Sequence, residues 1–308
     1  MKIKKKSWLY FRNNWQLYAF LLPSVVFIIV FAYIPMAGVV LAFKEYDFSL
    51  GIWGSPWVGF ENFERFFTAY NFWQILWNTI SLSFYSLIAS FPFPIMLALI
   101  LNAFPGTKFK KVVQTVSYMP HFISTVIIVG MLMQLFNPRT GAFGVLYQML
   151  TGGQMMVDLF GEPGAFQHLY VWSGIWQGVG WGSIIYIAAL AGVDESLHEA
   201  AIIDGASRLQ RIRYIDIPTI MPTMVIMLIL SAGGIMSVGF EKVYLMQNSL
   251  NISRSEVIST YVYKVGMVIG TGDYAYSTAI GLFNSVINFL MLVFVNAISR
   301  RVSDSSLW

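Results

Sequence analysis

The chain contains no cysteine, which removes disulfides, thiolate metal sites and a cysteine nucleophile together, and with them any reading of redox compartment. Charge is the second scarcity. Only 11% of its 308 residues are Asp, Glu, Lys or Arg, against roughly 25% in soluble domains, while 57% are apolar. Such a composition belongs to an integral membrane protein. No G-x-x-x-x-G-K-S/T phosphate loop and no G-x-S-x-G elbow occurs, so the chain is expected neither to hydrolyse ATP nor to carry a serine nucleophile. The three histidines, His121, His168 and His198, are too scattered to suggest a metal cluster.

What the chain has instead is long charge-free runs. Six spans are expected, at 15–43, 74–103, 112–136, 169–190, 220–240 and 274–299, by the length of roughly 20 apolar residues that a bilayer requires. The first is far longer than the 7–15 or so residues of a signal-peptide core, so it reads as an uncleaved span. Pro23 and Pro35 in the first span, and Pro92 and Pro94 in the second, should bend them by removing backbone donors. Tyr118-Met119-Pro120-His121 should break or bend the start of the third. Residues 44–70 read as an aromatic interfacial segment, 137–168 as an irregular external loop with one short helix, and 241–273 as an external loop with charges of both signs.

Charge placement sets the orientation. The arm 1–14 (Lys2, Lys4, Lys5, Lys6, Arg12), Lys108, Lys110 and Lys111, residues 194–218, and the tail 300–308 together hold 13 of the 19 basic residues. The other segments hold 6. Both termini are therefore expected in the cytoplasm of a bacterial inner membrane. No Asp, Glu, Lys or Arg falls within the span cores, so the carboxylate relays of proton- or sodium-driven carriers are missing. A transporter without its own energy source needs a partner that has one.

The long polar segment on the cytoplasmic side is DESLHEAAIIDGASRLQRIRYIDIP, residues 194–218. Ser196 with Glu199, and Ser207 with Gln210, have capping-box spacing and predict two helices. Gly205 suits the left-handed residue that ends the first. The second should carry Leu209, Ile212 and Ile215 on one side and Arg208 and Arg211 towards the other, with Pro218 closing it or starting the next span. Ala200, Ala201, Gly205 and Ala206 are small enough for another surface to approach the backbone closely.

These residues carry a resemblance. Glu199-Ala200-Ala201, Asp204-Gly205-Ala206, then Ile215, Ile217 and Pro218 resemble the EAA loop of binding-protein-dependent ABC importer permeases, with Ile217 replacing the usual leucine. Further motifs, Phe31-Ala32-Tyr33-Ile34-Pro35-Met36, Trp57-Val58-Gly59-Phe60-Glu61-Asn62-Phe63, Tyr118 to Ser124, Trp176 to Trp181, Phe240-Glu241-Lys242-Val243-Tyr244 and Thr278 to Phe283, are similar to the oligosaccharide and aldouronate branch of sugar permeases. The resemblance implies an all-α, six-helix type I importer (MetI-like) fold in which residues 194–218 seat in a groove of a cytoplasmic ATPase. It implies as partners a second homologous permease, two ATPase subunits that bind the ATP and magnesium, and an extracytoplasmic solute-binding protein. The coupling residues it implies are Glu199, Ala200, Ala201, Asp204, Gly205, Ala206 and Arg208, and this chain itself takes no cofactor and no metal and has no catalytic residue.

Sugar recognition combines aromatic faces with amide and hydroxyl partners, and within the spans such groups are Trp172, Trp176, Gln177, Tyr186, Asn284 and Asn288. Asn284 and Asn288, four residues apart, share a helix face; the same groups also suit interhelical hydrogen bonds and interfacial anchoring. Gly233 and Gly234 suit either a break in the fifth span or close helix packing. Two other classes are compatible with six apolar spans. A channel or secondary carrier needs no such docking segment, and a membrane-embedded enzyme needs clustered acids or metal ligands, for which His198, Glu199 and Asp204 are the only close set.

Overall fold

A computed structural model describes residues 13–104, 106–268 and 272–302, with side chains through 300. Lys2, Lys4, Lys5, Lys6 and Arg12 of the basic arm, Arg301 and the tail beyond it lie outside the residues whose side chains are described. The described residues are helical, with no strand and one isolated antiparallel bridge between Lys44 and Trp57. The principal helices are α1 (Trp15–Phe43), α2 (Phe72–Ala103), α3 (Thr107–Tyr118), α4 (Thr125–Leu135), α5 (Pro163–Leu190), α6 (Glu195–Ile203), α7 (Arg208–Gly233), α8 (Phe240–Met246) and α9 (Tyr274–Val302). Four of them, α1, α2, α7 and α9, are each long and apolar enough to cross a membrane, and the number rises to six if each of two bent pairs forms one span.

Among the described residues, those up to Thr68 with those between Val265 and Leu282 form one compact unit, and those between Ala69 and Lys264 with those from Phe283 onward form another. In the first unit, α1 stands almost bare: none of Trp15–Ile28 is buried. Pro23 is absorbed into a continuous α-helical stretch, without the irregularity expected there. Pro35 is not, and a π-turn at Ile29–Tyr33 precedes it, because proline offers no N–H to the carbonyl one turn earlier and the chain widens. Residues 44–70 are more ordered than an interfacial aromatic segment. The Lys44 ammonium donates to the carbonyls of Ile52 and Trp53, Asn62 donates to those of Ala42 and Lys44, and the Phe43 and Trp57 rings stack at 5.5 Å. Arg65 pairs with Asp273 at 2.5 Å and lies over Tyr276.

The second unit has two apolar clusters. One joins Leu82 of α2, Val129 of α4, Phe166, Val171 and Ile175 of α5, and Val243 and Met246 of α8. The other joins Ile95, Ala98 and Leu99 of α2, Tyr186 and Leu190 of α5, and Ile220 of α7. Helix α5 contributes to both clusters and is thus the central post. Helix α3 crosses it where Gly180 meets the carbonyl of Ser117 so closely that a Cβ would overlap it. Only glycine fits there.

Three expectations change. The third span is not one helix: Thr107–Phe122 and Thr125–Leu135 meet at 99°. The break falls at Met119–Phe122, as the proline there requires, and Ser124 caps the second half by accepting from Ile127 N–H. The fifth span begins earlier and ends earlier than 220–240, running without interruption from Arg208 to Gly233, so the second helix of the polar segment and the span are one. A π-turn at Ile212–Asp216 precedes Pro218 and accommodates its missing donor, as before Pro35. Gly233 ends that helix and also packs tightly, since a Cβ would lie 2.7 Å from Leu292 Cδ1. Finally, the described part of 241–273 is not an unstructured loop. It folds into α8 and the short helices Ile252–Ser255 and Ile258–Tyr263, buries Val243, Met246 and Val257, and is tied down by Asn78 and Asn251.

Candidate coupling segment and substrate path

Helix α6 follows α5 at an angle of 78°. Its cap is Asp194 rather than Ser196: the carboxylate accepts from Ser196 N–H at 2.9 Å, and the helix starts at Glu195. Aspartate caps as well as serine and adds a negative charge at the positive helix end. The hydrogen bonds from Ser196 hold its carboxyl below the usual aspartate range. Glu199 therefore does not close a capping box with Ser196. The other end is as the sequence predicts. Gly205 has φ +77°, Gly205 N–H donates to Ile202 O and Ala206 N–H to Ala201 O, the paired bonds of a Schellman ending. The second capping box is present in both directions, Gln210 N–H to Ser207 Oγ and Ser207 N–H to Gln210 Oε1.

This corner is open. No atom lies within 4 Å of a Cβ built on Gly205, so its glycine answers to backbone conformation within the chain and leaves room for another surface outside it. Ile203 is 85% exposed and Leu209 74%, flanking Asp204, Gly205 and Ala206. Leu197 and Ile202 of α6 are also more than half exposed, so the corner presents aliphatic side chains beside its polar ones. Sequence reasoning named the small residues and the acids but not the exposure of these aliphatic side chains. Beneath the corner lies a cleft of about 410 Å³ lined by Glu195, His198, Glu199, Arg208, Arg211 and Asp216 among others. Glu199 and Arg208 thus share one cleft, while Arg213 sits against the ring of Tyr214.

The residues expected along a substrate path separate into four groups. Trp172 and Trp176 line an apolar cleft with Leu132, Phe136 and His168. Tyr186 is buried in the core beside Ile95 and Ile220. Gln177 and Asn288 hold backbone breaks: Gln177 donates to Ile123 O at the bend between α3 and α4, and Asn288 bonds Met236 N–H and Ser237 Oγ just beyond α7. Asn284 Oδ1 is buried and has no hydrogen-bond partner among the described residues.

A different face of α5 carries the more open geometry. At 3.6 residues per turn, Tyr170, Gly174, Gly178 and Trp181 fall within about 80° of one another, roughly opposite Trp172 and Trp176. Above, a cavity of about 330 Å³ is lined by Ser83, Ser86 and Ser90 of α2, Tyr170 and Gly174 of α5, and Ser231 and Ser237 around the end of α7. Ser83 Oγ and Ser86 Oγ are buried with no hydrogen-bond partner among the described residues. A buried hydroxyl left unpaired is costly unless a ligand or water meets it. Along the face, Gly178 borders open space, and Trp181 stacks on His121 with ring centres 4.6 Å apart and planes 2° from parallel.

Lys242 of α8 stands at the upper end of this face. It is 8% exposed; its ammonium donates to Tyr170 O at 3.1 Å and lies 3.5 Å from where a Cβ on Gly174 would be. No carboxylate pairs with it among the described residues. Burial pulls its pKa from 10.5 down to about 8. Sequence reasoning placed Lys242 in an external loop, and nothing local distinguishes it. No group of three or more potential metal ligands occurs among the described residues.

The chain matches the model of the binding-protein-dependent transport system inner membrane component over residues 66–304. It is 41% identical over 297 residues to Protein LplB of Bacillus subtilis, covering 96% of this chain and 92% of the relative. It is 39% identical over 292 residues to the polygalacturonan/rhamnogalacturonan transport system permease protein YteP of the same organism, covering 95% and 90%. Among solved structures, a chain of a bacterial ABC transporter that imports the acidic polysaccharide alginate superposes with a TM-score of 0.87 at 36% identity, covering 97% of this chain and 99% of that one. A bacterial alginate ABC transporter in complex with alginate pentasaccharide-bound periplasmic protein matches with the same TM-score, identity and coverage. On the family match and these identities together, the chain belongs to the inner-membrane components of binding-protein-dependent ABC transport systems.

Proposed function

We propose that this chain is the permease subunit of an ATP-driven oligosaccharide importer, forming half of the translocation path with a second, homologous permease. An extracytoplasmic solute-binding protein delivers the sugar. Two cytoplasmic ATPase subunits bind ATP and magnesium and supply the energy, and the corner at Glu199 to Arg208 seats on one of them. The observation that carries this reading is the exposed corner itself, a Schellman turn with Ile203 and Leu209 bare beside it. Glu199 and Asp204 contact cationic groups of the ATPase, and Ala200, Ala201, Gly205 and Ala206 permit close seating. Both termini then face the cytoplasm, as the basic residues favour.

The sugar moves along the face of α5, from the serine cavity past Gly178 to the His121 and Trp181 stack. Pyranose C–H surfaces pack on the indole, and unpaired serine hydroxyls take sugar hydroxyls. Lys242 supports an acidic sugar as the preferred cargo, because a buried ammonium with no carboxylate partner among the described residues can pair with the carboxylate of a uronate. The alginate and polygalacturonan importers to which the chain is similar point the same way. The test is ATPase activity of the complex reconstituted with its partner permease, ATPase and binding protein, the last loaded from a panel of acidic and neutral oligosaccharides. Stimulation by an acidic member supports the whole reading. Stimulation by neutral members alone overturns the role of Lys242, and copurification without any ATPase overturns the importer.

A further inference from the structure

Asp216 lies at the foot of α7, 2% exposed, on the last residue of the π-turn. Its Oδ1 is 3.2 Å from Nε2 of His198 on α6 and 3.4 Å from Nδ2 of Asn102 at the end of α2. Three helices therefore meet at one carboxylate oxygen. A carboxylate withdrawn from water is retained only where partners satisfy it, and here each partner comes from a different element. The backbone alone ties α6 down weakly. It joins α5 through the short turn at residues 191–194 and joins α7 through the left-handed Gly205. Turns of this kind can pivot, whereas the side-chain link crosses between elements. On α6, His198 sits about 140° around the helix from Ile203, so one face holds the link while the other stays exposed.

We propose that Asp216, His198 and Asn102 form a brace that makes α6 move as one body with the feet of α2 and α7. Force applied to the exposed corner is then delivered to both transmembrane helices, and to the serine cavity they line, rather than dissipated in the two turns. These are positioning residues, acting through the helices they join. The inference rests on the reading that residues 194–218 seat on an ATPase.

The experiment uses the complete reconstituted importer and reads sugar transported per ATP hydrolysed. His198→Ala and Asp216→Val should each lower that ratio about tenfold, with ATPase copurification and binding-protein affinity unchanged. His198→Gln, which retains an N–H donor at similar reach, should restore most of it. The double variant should be no worse than either single one. Asn102→Ala, which removes the weaker partner and leaves the buried carboxylate its histidine, should give a smaller loss and covers the case in which Asp216→Val does not fold. A wild-type ratio in His198→Ala within a normally assembled complex, or losses that multiply in the double variant, would overturn the brace. If the wild-type chain itself retains no ATPase, it is the docking reading that fails instead.

Discussion

The coupling corner and the sugar path differ in how they are built. The corner is made from 25 consecutive residues whose conformation is dictated locally: an aspartate cap, a left-handed glycine, a reciprocal Ser207 and Gln210 box. The path is assembled from residues distant in sequence. Ser83, His121, Gly178, Trp181, Ser231 and Lys242, the residues of the proposed path, are brought together only through helix packing around α5. A local device tolerates no change at its special backbone positions, whereas an assembled path should degrade gradually as single contacts are removed.

Gly205→Trp tests the first half of that contrast and should have the largest effect. A left-handed residue with a Cβ costs about 1–2 kcal/mol, and the indole fills the space left for the partner. Uptake should be lost while the permease still inserts and basal ATP hydrolysis continues. Normal sugar-stimulated hydrolysis and uptake in this variant would remove the corner from the mechanism.

Trp181→Ala should raise the half-saturating sugar concentration about tenfold, the equivalent of about 1.4 kcal/mol. Trp176→Ala, on the opposite face of α5, should change it by less than about twofold, the scale of a peripheral contact. Transport titrations of both variants decide which face carries the sugar, and the reverse ranking would move the path to the cleft beside Phe136 and His168.

Lys242 gives a test by pH. With its pKa lowered to about 8, transport of an acidic oligosaccharide should fall as pH rises through 8, and that of a neutral one should not. Stability runs in the opposite direction. The unfolded chain binds the proton up to about 10.5 while the folded chain has released it, so stability rises with pH between about 8 and 10.5. Lys242→Met should abolish both dependences. An unchanged acidic preference in this variant would leave the lysine a purely structural donor to Tyr170.

Ser207→Ala should have the smallest effect. Loss of the cap costs about 1 kcal/mol, seen as faster amide exchange at Gln210 with uptake reduced only modestly. Exchange at Gln210 unchanged from wild type would show that α7 is held from its far end alone.

The same contrast explains what was legible in the sequence. Charge-free runs and basic loops locate the spans because bilayer thickness and backbone satisfaction act on composition, and Gly205 and the Ser207 box are readable because their conformations need those residue types. The capping shift from Ser196 to Asp194 is a contest between two good local acceptors. Proline rules locate the irregularities at Pro35, Pro120 and Pro218 without telling a π-turn from a 99° break. Tyr186 and Trp172 look like sugar ligands by type, and only packing shows one in the core and the other on the far face of α5. Asp216 and Lys242 are unreadable as a buried brace and a buried cation because burial is not a local property.

The most direct test of the central claim exploits the missing cysteines. Ile203→Cys places a single thiol on the exposed corner, and a Trp53→Cys chain places one in the segment expected outside. Cross-linked in membranes carrying the complete importer, the Ile203→Cys chain should couple to the ATPase subunit, with a yield that changes when ATP is bound, and the Trp53→Cys chain should not. Failure of Ile203→Cys to reach the ATPase in an assembled complex, or equal coupling from both positions, would contradict the account.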